Sequence, residues 1–115
     1  MIDGIYLVSF SSSLGKHDQG IVVIKGGSIN GADPIYLYTG QITSSNEMIS
    51  GILNIKRWNK SKTGVSSVFN TFEDFTLKVN GKNTSEKNFS ISGSIFITQP
   101  SLTIQITGEF LSEAS

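Results

Sequence analysis

The chain has 115 residues, a formal net charge of zero and no cysteine. That length favours one domain, residues 1–115, with a single core. Zero net charge removes the electrostatic case for direct nucleic-acid binding, which rests on Lys and Arg neutralising phosphates. The lack of cysteine excludes a disulfide framework and any thiolate site.

At the N-terminus, Met1-Ile2-Asp3-Gly4 places an acid where a secretory leader carries Lys or Arg. The apolar run over 5–10 is interrupted by Ser9 and ends in Ser11-Ser12-Ser13, too short for a signal or a membrane helix. A cytoplasmic protein with no membrane contact is expected. Asn59-Lys60-Ser61, Asn83-Thr84-Ser85 and Asn88-Phe89-Ser90 fit the glycosylation sequon. In an Asn- and Ser-rich chain without a leader they read as chance.

Along the chain the dominant period is two. Over 4–10, Ile5 and Leu7 fall on one face and Tyr6, Val8 and Phe10 on the other. Strands are predicted next over 20–25, 28–30, 35–42 and 47–58, separated by Gly26-Gly27, Asn30-Gly31 and Ser44-Ser45-Asn46. Residues 59–73 begin polar and then carry Val65, Val68, Phe69 and Phe72. They read as a long loop able to fold over one mouth of a barrel as a plug. Phe75, Leu77 and Val79 alternate before Asn80-Gly81, a turn dipeptide. Phe89, Ile91, Gly93, Ile95 and Ile97 alternate with Ser90, Ser92, Ser94 and Phe96. Thr98-Gln99-Pro100-Ser101 turns the chain into Leu102, Ile104, Ile106, Gly108 and Phe110, whose opposite face is Thr103, Gln105, Thr107 and Glu109. The pattern predicts an all-β domain, a small eight-stranded antiparallel barrel. Gly51, Gly93 and Gly108 on apolar strand faces supply the bends that closure needs.

The last strands present one apolar face each, so Phe75, Leu77, Phe89, Ile91, Ile104, Ile106 and Phe110 are candidate lining for an interior cavity. The first strands differ, since Ile21-Val22-Val23-Ile24 is apolar on both faces. One face points inward and the other needs a cover. The candidate surface for a second copy is Tyr6, Val8, Phe10, Val22 and Ile24, with Ile5 and Leu7 as the alternative; period two alone does not choose between them.

Catalytic chemistry is poorly supplied. His17 is the only histidine, and Ser13, His17 and Asp18 on one loop do not converge on a shared reacting atom. One histidine, no cysteine and no close acidic repeat make a poor metal site. Glu73-Asp74 reads as a charged strand start. Gly81-Lys82-Asn83-Thr84 shares a tail with phosphate-binding loops but lacks the preceding glycine and the following helix. Tyr36, Tyr38 and Trp58 sit on core-like periods without interleaved basic residues, so they do not read as a nucleic-acid stacking platform. No enzyme activity and no cofactor are expected.

Asp3-Gly4-Ile5-Tyr6-Leu7-Val8-Ser9-Phe10 resembles the opening of the GrlR-like family, proteobacterial negative regulators of type III secretion. The likeness runs on through Gly20-Ile21-Val22-Val23-Ile24-Lys25-Gly26-Gly27, Ile29-Asn30-Gly31-Ala32-Asp33 and Tyr36-Leu37-Tyr38-Thr39-Gly40. It continues through Arg57-Trp58-Asn59, Ser67-Val68-Phe69 and Phe75-Thr76-Leu77. The resemblance implies a lipocalin-like barrel with an apolar cavity, a plug-like loop and a homodimer. It also implies repression by binding a transcriptional activator and not DNA. The family's acidic run after the Tyr-x-Gly strand corresponds to Thr43-Ser44-Ser45-Asn46-Glu47, which holds one acid. Ser44, Ser45, Asn46 and Glu47 are therefore the candidate partner-binding loop. Two functions remain open from the sequence: a regulator that sequesters a protein, and a carrier of a small apolar ligand inside the barrel.

Overall fold

The computed structural model describes residues 2–13, 15, 17–59, 74–95 and 102–114. Eight strands follow one another: β1 (Gly4–Ser12), β2 (His17–Lys25), β3 (Ser28–Ala32), β4 (Tyr36–Ser45), β5 (Met48–Arg57), β6 (Asp74–Asn83), β7 (Asn88–Ile95) and β8 (Leu102–Ser112). Each pairs antiparallel with the next, and β8 returns to pair with β1, so the sheet closes into a barrel. No helix occurs among the described residues. Closure gives each strand a hydrogen-bonded neighbour on both sides.

The alternation that predicted the strands sets their inner faces. Tyr6, Val8 and Phe10 from β1 meet Val22 and Ile24 from β2, Ile29 from β3 and Tyr36, Tyr38 and Ile42 from β4 inside the wall. Ile49, Leu53 and Ile55, then Leu77 and Val79, then Phe89 and Ile91, then Ile104 and Ile106 complete the core. Tyr6 stacks against Phe89 and Phe110 at 5.5 and 5.6 Å between ring centroids, and Phe10 against Tyr38 at 4.9 Å. Tilted and edge-on pairs of this kind add about 0.5–1.5 kcal/mol each beyond their burial.

Glycines make room for the core side chains. A Cβ on Gly108 would strike the Phe89 ring, one on Gly93 would strike Leu77, and one on Gly51 would strike Ile42. Gly81 belongs with them. The expected turn at Asn80-Gly81 is not there: β6 runs through it, with Gly81 opposite Ile49 on β5 and Ile91 on β7. Its bare backbone lets the Ser90 carbonyl and Ile91 approach where a side chain would block them. The chain reverses over 84–87 instead, where the Thr84 and Ser85 N–H groups donate to the Asn88 carbonyl at 2.9 and 3.3 Å.

Two other boundaries move. β2 begins at His17, because Ser11 and Phe10 carry the ladder on to His17 and Asp18; that histidine was expected on a loop. The β4–β5 connection is a tight two-residue turn, Asn46-Glu47, with both residues at positive φ (49° and 70°). Asn suits the first of these positions, but Glu takes one where glycine is favoured. The expected plug segment and the Thr98–Ser101 turn lie outside the described residues, apart from Asn59.

Candidate functional site

The barrel interior is a filled core. Leu77, Phe89, Ile91, Ile104 and Ile106 point inward and are buried, while Phe75 and Phe110 pack against them partly exposed. Among the described residues these side chains leave an internal void of about 20 Å³, bounded by Val8, Phe10, Val22, Tyr38, Phe89 and Ile106 among others. A drug-sized ligand needs a pocket of roughly 300 Å³ or more.

Tyr6, Val8, Phe10, Val22 and Ile24 also lie inside, each no more than 3% exposed. They cannot meet a second chain from there, so these five residues are core and not a surface for a second copy. The physical reason is the pleat: alternate side chains take opposite sides, and the larger aromatic set fills the barrel. Ile5, Leu7, Ile21 and Val23 therefore point out. Ile21 is 44% exposed and Val23 37%.

The outward apolar residues line up. Leu7 is opposite Ile21, Ile21 opposite Ala32, and Ala32 opposite Leu37. Directly opposite side chains on one sheet face lie about 4.5–5.5 Å apart at Cβ. The row is thus one continuous apolar strip across four strands. Glu109 on β8 flanks it beside Leu7, and Lys56 on β5 flanks it beside Leu37. Elsewhere on the wall, Met48 and Ile52 are exposed but lie opposite Lys82 and Lys78.

A polar lock holds one end of this strip. Asp33, 8% exposed, accepts from the backbone N–H of Ile35 at 2.8 Å and of Tyr36 at 2.7 Å, and the Tyr38 hydroxyl donates to its other oxygen. Burial, reinforced by the hydrogen bond to Asp33, pushes the Tyr38 pKa well above the ordinary tyrosine value. The Asp33 carbonyl accepts from Trp58 Nε1 at 2.9 Å, and the Ile35 carbonyl from the Trp58 N–H at 3.0 Å. The corner between β3 and β4 therefore fixes the end of β5. Arg57 is buried there, opposite Tyr36. The sequence reading did not single out Asp33. The Asp33-Pro34 pair was the available signal, since Asp before Pro favours turn initiation.

Ser44, Ser45, Asn46 and Glu47 are all exposed around the β4–β5 turn at the other end of the barrel. Asn83 ties that turn to β6: its N–H donates to the Glu47 carbonyl and its Nδ2 to Ser44 Oγ, both at 2.8 Å. His17 is exposed beside Ser11, bordering an open groove of about 580 Å³ with Ser9, Gln19 and Thr107. No group of three His, Cys, Asp or Glu among the described residues is placed to hold a metal ion. No helix among them is long and apolar enough to cross a membrane.

A family model described as the type III secretion system negative regulator GrlR matches residues 1–114. No curated protein matches the chain.

Proposed function

The chain belongs to the GrlR family of type III secretion negative regulators, and from that premise we propose that it represses by holding a transcriptional activator on its outer surface. The observation that carries this reading is the filled barrel. With about 20 Å³ free inside, recognition moves to the wall and the loops, where a protein can be met and a small apolar ligand cannot be enclosed. The exposed apolar residues on the outside support a protein partner over a dissolved ligand.

The reading makes the protein a non-enzymatic, cytoplasmic binder, since its target meets promoters there. The Ser44–Glu47 turn is its proposed contact with the activator. That turn is exposed, hydrogen-bonded at its base to β6, and holds a glutamate in a backbone conformation that favours glycine.

The test pairs two measurements in a bacterium that carries a type III secretion system. Tagged full-length chain is purified and its companions identified by mass spectrometry, while a secretion promoter drives a reporter. An activator that co-purifies, with the reporter falling and recovering when Glu47 and Asn46 are changed to Gly, supports the proposal. An unchanged reporter, or a bound small molecule with no protein companion, overturns it.

A further inference from the structure

We propose that the outward face of β5 and β6 is a docking site for an acidic amphipathic helix of a protein partner. The activator reading uses the Ser44–Glu47 turn, and this inference does not rest on it. What carries it is a local charge imbalance in a chain whose net charge is zero. Across β4, β5, β6 and β7 the one acid is Asp74, and it lies opposite Lys56. Lys78 and Lys82, both exposed on β6, have no acid on these strands to answer them. Among the described residues nothing pairs with either ammonium.

The two lysines come with two apolar neighbours in the same arrangement. Ile52 lies opposite Lys78 and Met48 opposite Lys82, and both are exposed, Ile52 at 48% and Met48 at 61%. Opposite side chains are about 4.5–5.5 Å apart at Cβ, and four residues along a strand advance about 13 Å. The face is therefore two parallel lines, one cationic and one apolar, with the same repeat. An amphipathic helix carries matching lines. Seven residues of helix advance about 10.5 Å and return to nearly the same side, and the flexible lysine stems cover the remaining distance. A glutamate line meets Lys78 and Lys82 while a leucine line beside it meets Ile52 and Met48. Next to Lys82 the wall dips into an open groove of about 390 Å³, lined by Met48, Asn80, Lys82, Ser90, Ser92 and Gln105, which seats side chains of the helix.

Other anionic partners fit less well. Ser50 and Asn80 face each other between the two cation–apolar pairs. A bilayer that took in Ile52 and Met48 would strip water from these polar groups without replacing their hydrogen bonds, whereas glutamate carboxylates accept from them. A nucleic-acid duplex presents phosphates but no apolar line, and two lysines neutralise few of them. A two-fold contact with a second copy of this chain would add two more lysines to the face and no acid.

Fluorescence anisotropy of a labelled synthetic helix against the full chain tests this, with circular dichroism reporting that each variant is folded. The probe carries a glutamate line beside a leucine line; two control peptides replace every glutamate by glutamine or by lysine. The wild type should bind the glutamate peptide over both controls, and more weakly as salt is raised. Lys78→Glu and Lys82→Glu should each raise the dissociation constant roughly tenfold, and the double variant should prefer the lysine peptide. Met48→Ser and Ile52→Ser should each raise it roughly threefold to fivefold while leaving the salt dependence as it was. Lys25→Glu, on β2, should leave it unchanged. If a reversal does not fold, Lys78→Gln and Lys82→Gln give the same reading. No binding of the glutamate peptide, equal binding of the glutamine peptide, or a Lys25→Glu loss as large as that of Lys78→Glu overturns the proposal. Tighter binding to phosphatidylglycerol vesicles or to duplex DNA than to the peptide overturns it as well.

Discussion

The outer sides of β1–β2 and of β7–β8 are neighbouring parts of one barrel wall, and they are built from opposite materials. Over 90–94 of β7 and 103–107 of β8 the outward residues are Ser90, Ser92, Ser94, Thr103, Gln105 and Thr107, and two pairs of them bond across the strands. Gln105 Nε2 donates to Ser90 Oγ at 2.6 Å, and Ser94 Oγ lies 3.3 Å from Thr103 Oγ1. On β1–β2 the outward residues include Ile5, Leu7, Ile21 and Val23. Both regions put apolar side chains on the inner face, because the barrel needs a core from every strand. The outer face has no such duty. Both serines and isoleucines are accommodated in strands there, so the difference bears chiefly on what meets the wall.

The largest effect should come from the inner faces, where the two regions are alike. Val8→Asp and Ile104→Asp each force a charge into a site no more than 3% exposed. Each should cost about 4 kcal/mol or more and unfold the domain, read by chemical denaturation. If Val8→Asp left a folded protein while Ile104→Asp did not, the inner face of β1 would be the wrong one.

This contrast also explains what the sequence made legible. On β7 and over 102–110 of β8, apolar and polar residues alternate, so Ile91, Ile104 and Ile106 declared their inward direction. On β1 and β2 both sides are apolar, and period two cannot say which side is in. The inward side shows only in the packing: Tyr6 meets Phe110 on the neighbouring β8 and Phe89 on β7, and Phe10 meets Tyr38 on β4, contacts between residues far apart in sequence. Asn80-Gly81 misled for a related reason. A glycine in a turn and a glycine beneath a neighbouring backbone look the same until the neighbour, here Ser90, is in place. Asp33 was hidden because its three donors converge only after β3 and β4 have turned.

Polar groups sharpen the comparison at smaller magnitude. Asp33→Ala leaves two backbone N–H groups and the Tyr38 hydroxyl without their acceptor in a buried corner. A loss of roughly 2–4 kcal/mol is expected. Gln105→Ala removes a bond of good length on the exposed wall, and water replaces it, so under about 1 kcal/mol should be lost. Similar losses from both would mean that the corner is open to solvent.

The same corner predicts a pH response. The ordinary tyrosine pKa is 10.0, and burial together with Asp33 raises that of Tyr38 far above it. The native state then keeps a proton that the unfolded chain releases. Stability from this group is fully present below pH 10 and declines as pH rises above it, by about 1.4 kcal/mol per pH unit. Tyr6 is raised in the same direction, chiefly by burial. Tyr38→Phe should therefore reduce the alkaline slope without abolishing it. An unchanged slope in denaturation curves between neutral and alkaline pH would remove Tyr38 as its source.

The smallest effect on stability separates the two walls most sharply. Ile21→Thr and Thr107→Ile exchange an apolar residue between the outer sides of β2 and β8. All four side chains are β-branched and suit a strand, and both positions are exposed. Each change should move stability by no more than about 0.5 kcal/mol, so the fold is the same in both variants. Their association should differ. Ile21→Thr breaks the strip between Leu7 and Ala32 and should weaken self-association in sedimentation. Thr107→Ile adds apolar area between Ser9 and Ser90, where no apolar neighbour joins it, and should leave association as it was. Combining the two keeps the total exposed apolar surface nearly constant. If the double variant associated like the wild type, bulk stickiness would be the cause; if it behaved like Ile21→Thr alone, the ordered row across β1–β4 is what a second chain reads.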